Sequence, residues 1–185
     1  MIARAHEADG TRSEALYSDC AGYRYLLRRD WGGGGRLLYV LLNPSTATEE
    51  RNDPTIERCE RRARAAGFGG FAVANVFAFR ATDPRALKRA ADPVGAANDA
   101  VLAEAAADAA MILCGWGAHG GHRGRGETVV RLLRAGGHPL WHLGLTKAGY
   151  PRHPLYIGYA RGPEPWGAGG KMPTIDANRR TLARP

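Results

Sequence analysis

Arg36-Leu37-Leu38-Tyr39-Val40-Leu41-Leu42-Asn43-Pro44-Ser45 passes from unbroken apolar residues to small polar ones within three positions. Extended, residues 37 to 43 would span roughly 23 Å. A run without alternation suits a strand covered on both faces, so it reads as the central strand of a parallel sheet. Pro44 cannot extend a ladder and keeps Asn43 out of helical angles. The Asn43 side chain is therefore expected in the crevice beyond the strand's carboxyl end, where open α/β sheets hold their ligands. A plain Asn-Pro-Ser turn is the alternative reading.

Downstream, Phe71-Ala72-Val73-Ala74-Asn75-Val76-Phe77 repeats the pattern of a short apolar strand ending at an Asn. Two amides delivered to one sheet edge would converge on one site. Met111 to Cys114 and Leu140 to Leu143 read as two further strands, the first closing in Gly115-Trp116-Gly117-Ala118-His119-Gly120-Gly121. Between them lie helix signals. Asp53-Pro54 begins a helix to about Ala66, because a carboxylate caps free amides and Pro fits the first helical position. Asp83-Pro84 begins a short helix, Asn98 to Ala109 is Ala-rich, and Arg125 to Arg134 carries inward Val and Leu. The alternation predicts a three-layer α/β/α sandwich with a short, mainly parallel four-stranded sheet.

Residues 1 to 22 show no clear period and read as a lead-in. From Tyr23 to Trp31, β-formers interleave with basic residues, and Gly32 to Gly35 suit a hairpin into the central strand. The domain is expected to cover residues 23 to 161. The tail, 162 to 185, is rich in Gly and Pro, with one turn of helix expected at Asp176 to Arg180.

The chain of 185 residues is long enough for one domain with a real core. No apolar run approaches the roughly 18 residues of a membrane span, and the first residues lack a secretory apolar stretch. A cytoplasmic location is expected. Cys20, Cys59 and Cys114 form no C-x-x-C pair, and His119, His122, His138 and His142 have no ligand spacing. Neither a metal nor a cofactor is called for. The formal charge of +8 favours a polyanionic partner. Almost all of it is Arg, since Lys occurs only at 88, 147 and 171. Nothing points to an obligate protein partner.

Four segments in order, Leu-Leu-Asn-Pro-Ser (41 to 45), Val-Ala-Asn-Val-Phe (73 to 77), Ile-Leu-Cys-Gly-Trp-Gly-Ala-His (112 to 119) and His-Pro-Leu-Tyr (153 to 156), resemble the uracil-DNA glycosylase superfamily. The span from Tyr23 to about Tyr159 also resembles a family of bacterial and phage domains of unknown function. That family is marked by Leu-Asn-Pro-Ser-Thr-Ala, Asn-Asp-Pro-Thr, Arg-Ala-Thr-Asp-Pro and His-Pro-Leu-Tyr. The glycosylase resemblance implies a uracil-DNA glycosylase-like fold and an enzyme that flips a base out of nucleic acid and hydrolyses its N-glycosidic bond.

By that resemblance, Asn43 positions the attacking water and His153 stabilises charge on the departing base. Asn75 reads the base edge, and Leu155 wedges into the duplex where the base has left. Thr46 to Asp53 holds no aromatic to stack on the base, so Phe77, Phe79 or Trp116 is expected in that role. Ser45, Arg80, Arg152 and Tyr156 complete the expected substrate contacts. The chemistry is physically coherent: bond breaking builds negative charge on the base, which an aimed donor stabilises, while a neutral amide orients water without acting as a strong base. Two other readings use the same residues. One is an enzyme acting on a free nucleoside or nucleotide, the other a non-catalytic module that binds DNA or RNA.

Overall fold

The structure is a computed structural model and describes residues 1–167. Its strands are β1 (Ile2–Ala8), β2 (Thr11–Tyr17), β3 (Arg24–Asp30), β4 (Arg36–Leu41), β5 (Gly70–Asn75), β6 (Met111–Gly115), β7 (Leu140–His142) and β8 (Glu164–Pro165). The helices are α1 (Pro54–Ala65), α2 (Pro84–Arg89), α3 (Asn98–Ala107) and α4 (Arg125–Ala135). All eight strands form one sheet in the order β1-β2-β3-β5-β4-β6-β7-β8.

This overturns the expected four-stranded, mainly parallel sandwich. Four of the seven pairings are antiparallel: β1 with β2, β2 with β3, β3 with β5, and β7 with β8. Helical segments make up only about 29% of the structure, too little to blanket both faces of eight strands. The sheet is mixed, with parallel pairing confined to β5, β4, β6 and β7.

The added strands escaped the sequence reading for identifiable reasons. Every residue of β1 is exposed, so the strand carries no apolar face to detect. On β2 the buried residues are Ser13, Ala15 and Tyr17, a weak alternation. β3 is the strand that the β-formers from Tyr23 to Trp31 announce, but it buries Arg24 and Arg29 and pairs with β2 and β5 in place of β4. The expected lead-in is thus a strand pair closed by Asp9-Gly10, both at positive φ, as a two-residue hairpin turn requires. Gly32 to Gly35 make no hairpin either, because β5 lies between β3 and β4. The turn of helix expected at Asp176 to Arg180 lies outside the described residues.

β4 sits between β5 and β6, parallel to both. Leu37, Tyr39 and Leu41 join one core with Ile56, Cys59 and Ala63 of α1 and with Tyr17. Leu38 and Val40 join the opposite core with Leu102 of α3 and Val129 and Leu133 of α4. Both faces are covered, which is the physical reason the run shows no alternation. Between α2 and α3 the chain leaves helical geometry, with Ala90 extended after α2.

Candidate functional site

The loop after β4 is held from below by buried charge. Arg24, 2% exposed, donates from Nη1 to the Ala47 carbonyl at 2.5 Å. Arg29 donates to the carbonyls of Thr48 and Glu49 and to Asn52 Oδ1. Tyr17 donates its hydroxyl to Glu49 Oε2 at 2.8 Å. Desolvation lowers the Arg24 guanidinium to about 10, and burial, with Glu49 beside it, raises the Tyr17 phenol. Side chains of β2 and β3 therefore shape the loop that carries Asn43 and Ser45. Asp53 ends that loop as the expected cap: its Oδ1 accepts from the amides of Thr55 and Ile56 at 2.9 Å each. Such a cap contributes about 1 kcal/mol.

Beyond the carboxyl ends of the parallel strands lies a cavity of about 580 Å³. Leu42, Asn43 and Ser45 line it from the loop after β4, and Ala81 and Thr82 from the chain after β5. Trp116 and His119 contribute from the segment after β6, and Thr146, Arg152, His153 and Tyr156 from that after β7. Thr55 lines it from the first turn of α1. Glycine at 115 makes the assembly possible. A Cβ there would sit 2.8 Å from Pro154 Cδ and 3.2 Å from the Arg152 carbonyl oxygen, so the His153 segment closes over a position without a side chain.

Asn43 is half-buried, and its Nδ2 donates to the Ala81 carbonyl at 2.7 Å and the Pro44 carbonyl at 3.0 Å. Both amide hydrogens are thereby engaged, leaving Oδ1 as an acceptor. His153 Nδ1 accepts from the Leu155 amide at 3.3 Å, so the neutral ring carries its proton on Nε2. Desolvation pushes the imidazole down to about 4, against the opposing pull of the Asp53 carboxylate. Near neutral pH the residues lining the cavity thus include an amide whose oxygen is left as an acceptor and an imidazole that carries an N–H donor.

Of the residues singled out from sequence, Asn43, Ser45, Trp116, Arg152, His153 and Tyr156 come together here. The others do not line the cavity. Asn75 is 2% exposed, its Oδ1 without a hydrogen-bond partner among the described residues. Phe77 is fully buried and packs against His122, with ring centroids 5.9 Å apart. Arg80 donates to the Ala21 carbonyl and lies over the Tyr17 ring. Leu155 is half-buried, whereas Tyr156 beside it is 81% exposed. Phe79, the other stacking candidate, packs edge-on against Tyr23.

The sequence reading missed Thr55, Thr82, His119 and Thr146 as lining residues. Three of them stand inside segments already quoted from the sequence, Asn-Asp-Pro-Thr, Arg-Ala-Thr-Asp-Pro and the Gly-Trp-Gly-Ala-His end, so their place in those segments was the available signal. Thr146 carried none. Among the described residues, no group of three or more His, Cys, Asp or Glu is placed to hold a metal ion. Cys59 and Cys114 are buried, and burial raises both thiols out of reactive range.

A family model described as "Protein of unknown function (DUF1643)" matches residues 24–155. The chain belongs to this family. The matched DUF1643 span begins at Arg24, whose guanidinium holds the Asn43 loop, and ends at Leu155, within the His153 segment. It leaves out β1 and β2, so the hairpin that supplies Tyr17 stands outside the DUF1643 match. Comparisons with curated proteins and with solved structures return no match. No helix among the described residues is long and apolar enough to cross a membrane.

Proposed function

We propose that this protein is a glycosylase-like hydrolase that cleaves the N-glycosidic bond of a modified or damaged base in nucleic acid. The observation that carries the reading is one cavity lined by both Asn43 and His153, with an amide oxygen left to accept and an imidazole Nε2–H left to donate. A cavity of about 580 Å³ lies within the range of small-molecule sites and admits a base with its sugar.

The reaction breaks the bond between the sugar C1′ and the base nitrogen, and the base leaves with the electron pair. Water adds its oxygen to C1′, and its proton passes to solvent. The Asn43 Oδ1 holds that water, and His153 Nε2–H donates to a base oxygen whose negative charge grows as the bond breaks. A neutral imidazole suits this role, because it is a donor that needs no protonation near pH 7. The order of the four segments that resemble uracil-DNA glycosylases supports the same assignment. Base selection falls to the hydroxyls of Ser45, Thr55, Thr82 and Thr146, since Asn75 lies outside the cavity.

The test is a screen of oligonucleotides carrying different damaged or modified bases, read as abasic sites, with Asn43→Ala and His153→Ala in parallel. The expected result is release of at least one base, strongly reduced in both variants. Release unchanged in the His153→Ala protein, or no release from any substrate, overturns the proposal.

A further inference from the structure

Arg58, Arg61 and Arg62 occupy one face of α1, and their guanidinium carbons lie 5.1, 5.4 and 5.2 Å from the centroid of the Tyr159 ring. Each contact with the ring is favourable, but three cations around it repel one another. None of the three has an ion-pair partner among the described residues. The carboxylates of α1 are engaged on its other flank: Glu60 pairs with Arg64, and Asn52 donates to Glu57 and Glu60. The positive charge is left uncompensated.

That charge is tied to the cavity rim. Arg58 donates to the Ile157 carbonyl, and Arg62 donates to the carbonyls of Ile157, Gly158 and Arg161. Ile157 and Tyr156 line the cavity. Arg61 is exposed and makes no hydrogen bond to another described residue. At the rim, Tyr156 presents a ring that is 81% exposed, beside an exposed Arg152. A large aromatic surface left in water next to unpaired arginines has the composition of a strand-binding platform.

We infer that the edge running from Tyr156 past Tyr159 to Arg61 binds single-stranded nucleic acid on one side of the nucleotide held in the cavity. The inference rests on the glycosylase reading for the cavity's occupant, and not for the bond that is cut. Tyr156 stacks on a neighbouring base, and the arginines face the adjoining phosphates. A single strand is specified because the bases of an intact duplex stack on one another and offer no face to the ring.

The experiment measures binding of a fluorescein-labelled oligothymidylate to the full chain by anisotropy across a salt series. Wild type, Arg61→Ala and Tyr156→Ala are compared after thermal melts show the same fold. Loss of the stacking ring is expected to weaken binding about tenfold to a hundredfold. Arg61→Ala is expected to weaken it severalfold and to flatten the logarithmic salt slope by about 0.7. Affinities and slopes equal to wild type in both variants would overturn the inference, as would tighter binding to a blunt duplex than to the single strand. Failure of the chemistry reads differently. Binding that depends on Arg61 and Tyr156 with no base released leaves this surface standing, whereas base release from oligonucleotides with both variants silent removes the surface alone.

Discussion

Asn43 and Asn75 close two strands that look alike in sequence, yet they end in opposite environments. β5 holds its Asn within the ladder, in register with Leu41 of β4. The chain then continues pairing, with the amides of Val76 and Phe77 donating to the carbonyls of Leu41 and Leu42. Asn98 of α3 covers this end, donating to the Asn75 and Val76 carbonyls. Asn43 stands two residues beyond the last ladder pair of β4, where Pro44 turns the chain and the cavity opens. A terminal amide is offered to a ligand only where pairing stops before it and no neighbouring element covers the strand's end.

The severest test of this contrast is His153→Ala, which acts on the open end. It is expected to lower turnover by roughly two to three orders of magnitude with little change in KM, the scale for loss of one aimed donor. Under the proposed mechanism, Asn43→Ala should slow turnover about a hundredfold, because its Oδ1 is what would hold the water in line. Asn75→Ala, measured in the same assay, should leave turnover unchanged. A defect in that variant as large as that of Asn43→Ala would erase the distinction between the two strand ends.

A pH series probes the open end through His153. Its imidazole titrates at about 4 when folded, against an ordinary value of 6.5. Above pH 6.5 both states leave the ring neutral and no stability is lost. Between 6.5 and 4 the unfolded chain binds a proton that the folded one refuses, so stability falls as pH drops and levels off below 4. The expected loss, on the order of 3 kcal/mol, should be absent in His153→Ala when urea melts are compared across that window. Equal pH dependence in both proteins would contradict a desolvated ring at this position.

The smallest effect belongs to the closed end. Asn98→Ala removes the donor to the Asn75 carbonyl and one of two donors to the Val76 carbonyl, which Arg125 also serves, and should cost about 1 to 3 kcal/mol. Chemical denaturation reads the loss, while turnover per folded molecule should hold. A fall in turnover without a fall in stability would show that the α3 cover reaches the cavity after all.

Much of the parallel part of the sheet was legible because its cause is local. Apolar runs such as Leu37 to Leu42 and Phe71 to Ala74 need cover on two faces, and Asp-Pro pairs announce the helices between them. Beyond the β-formers of Tyr23 to Trp31, the antiparallel half was hard to read for a reason visible in its residues. β1 buries nothing, and β3 buries arginines whose hydrogen bonds to Thr48, Glu49 and Ala47 are formed by a loop some twenty residues away. For the β1–β2 hairpin the Asp9-Gly10 turn is the one readable signal, with no apolar face on β1 beside it.

For the site, the order of residues names part of the chemical inventory: an amide after one strand, a His-Pro segment after another, and an excess of arginine, but not the threonines at 55, 82 and 146. So is the departure of Asn43 from the ladder, because Pro44 forbids its continuation. Which residues share the cavity was settled by tertiary packing alone. That choice turns on long-range facts no local pattern encodes: the missing side chain at 115 that lets the His153 segment close in, the Asn98 cover over Asn75, and the buried Arg24 beneath the Asn43 loop. Burial and hydrogen-bond partners are properties of the packed chain. The same Asn serves as a site residue or a core residue according to what the fold sets against it.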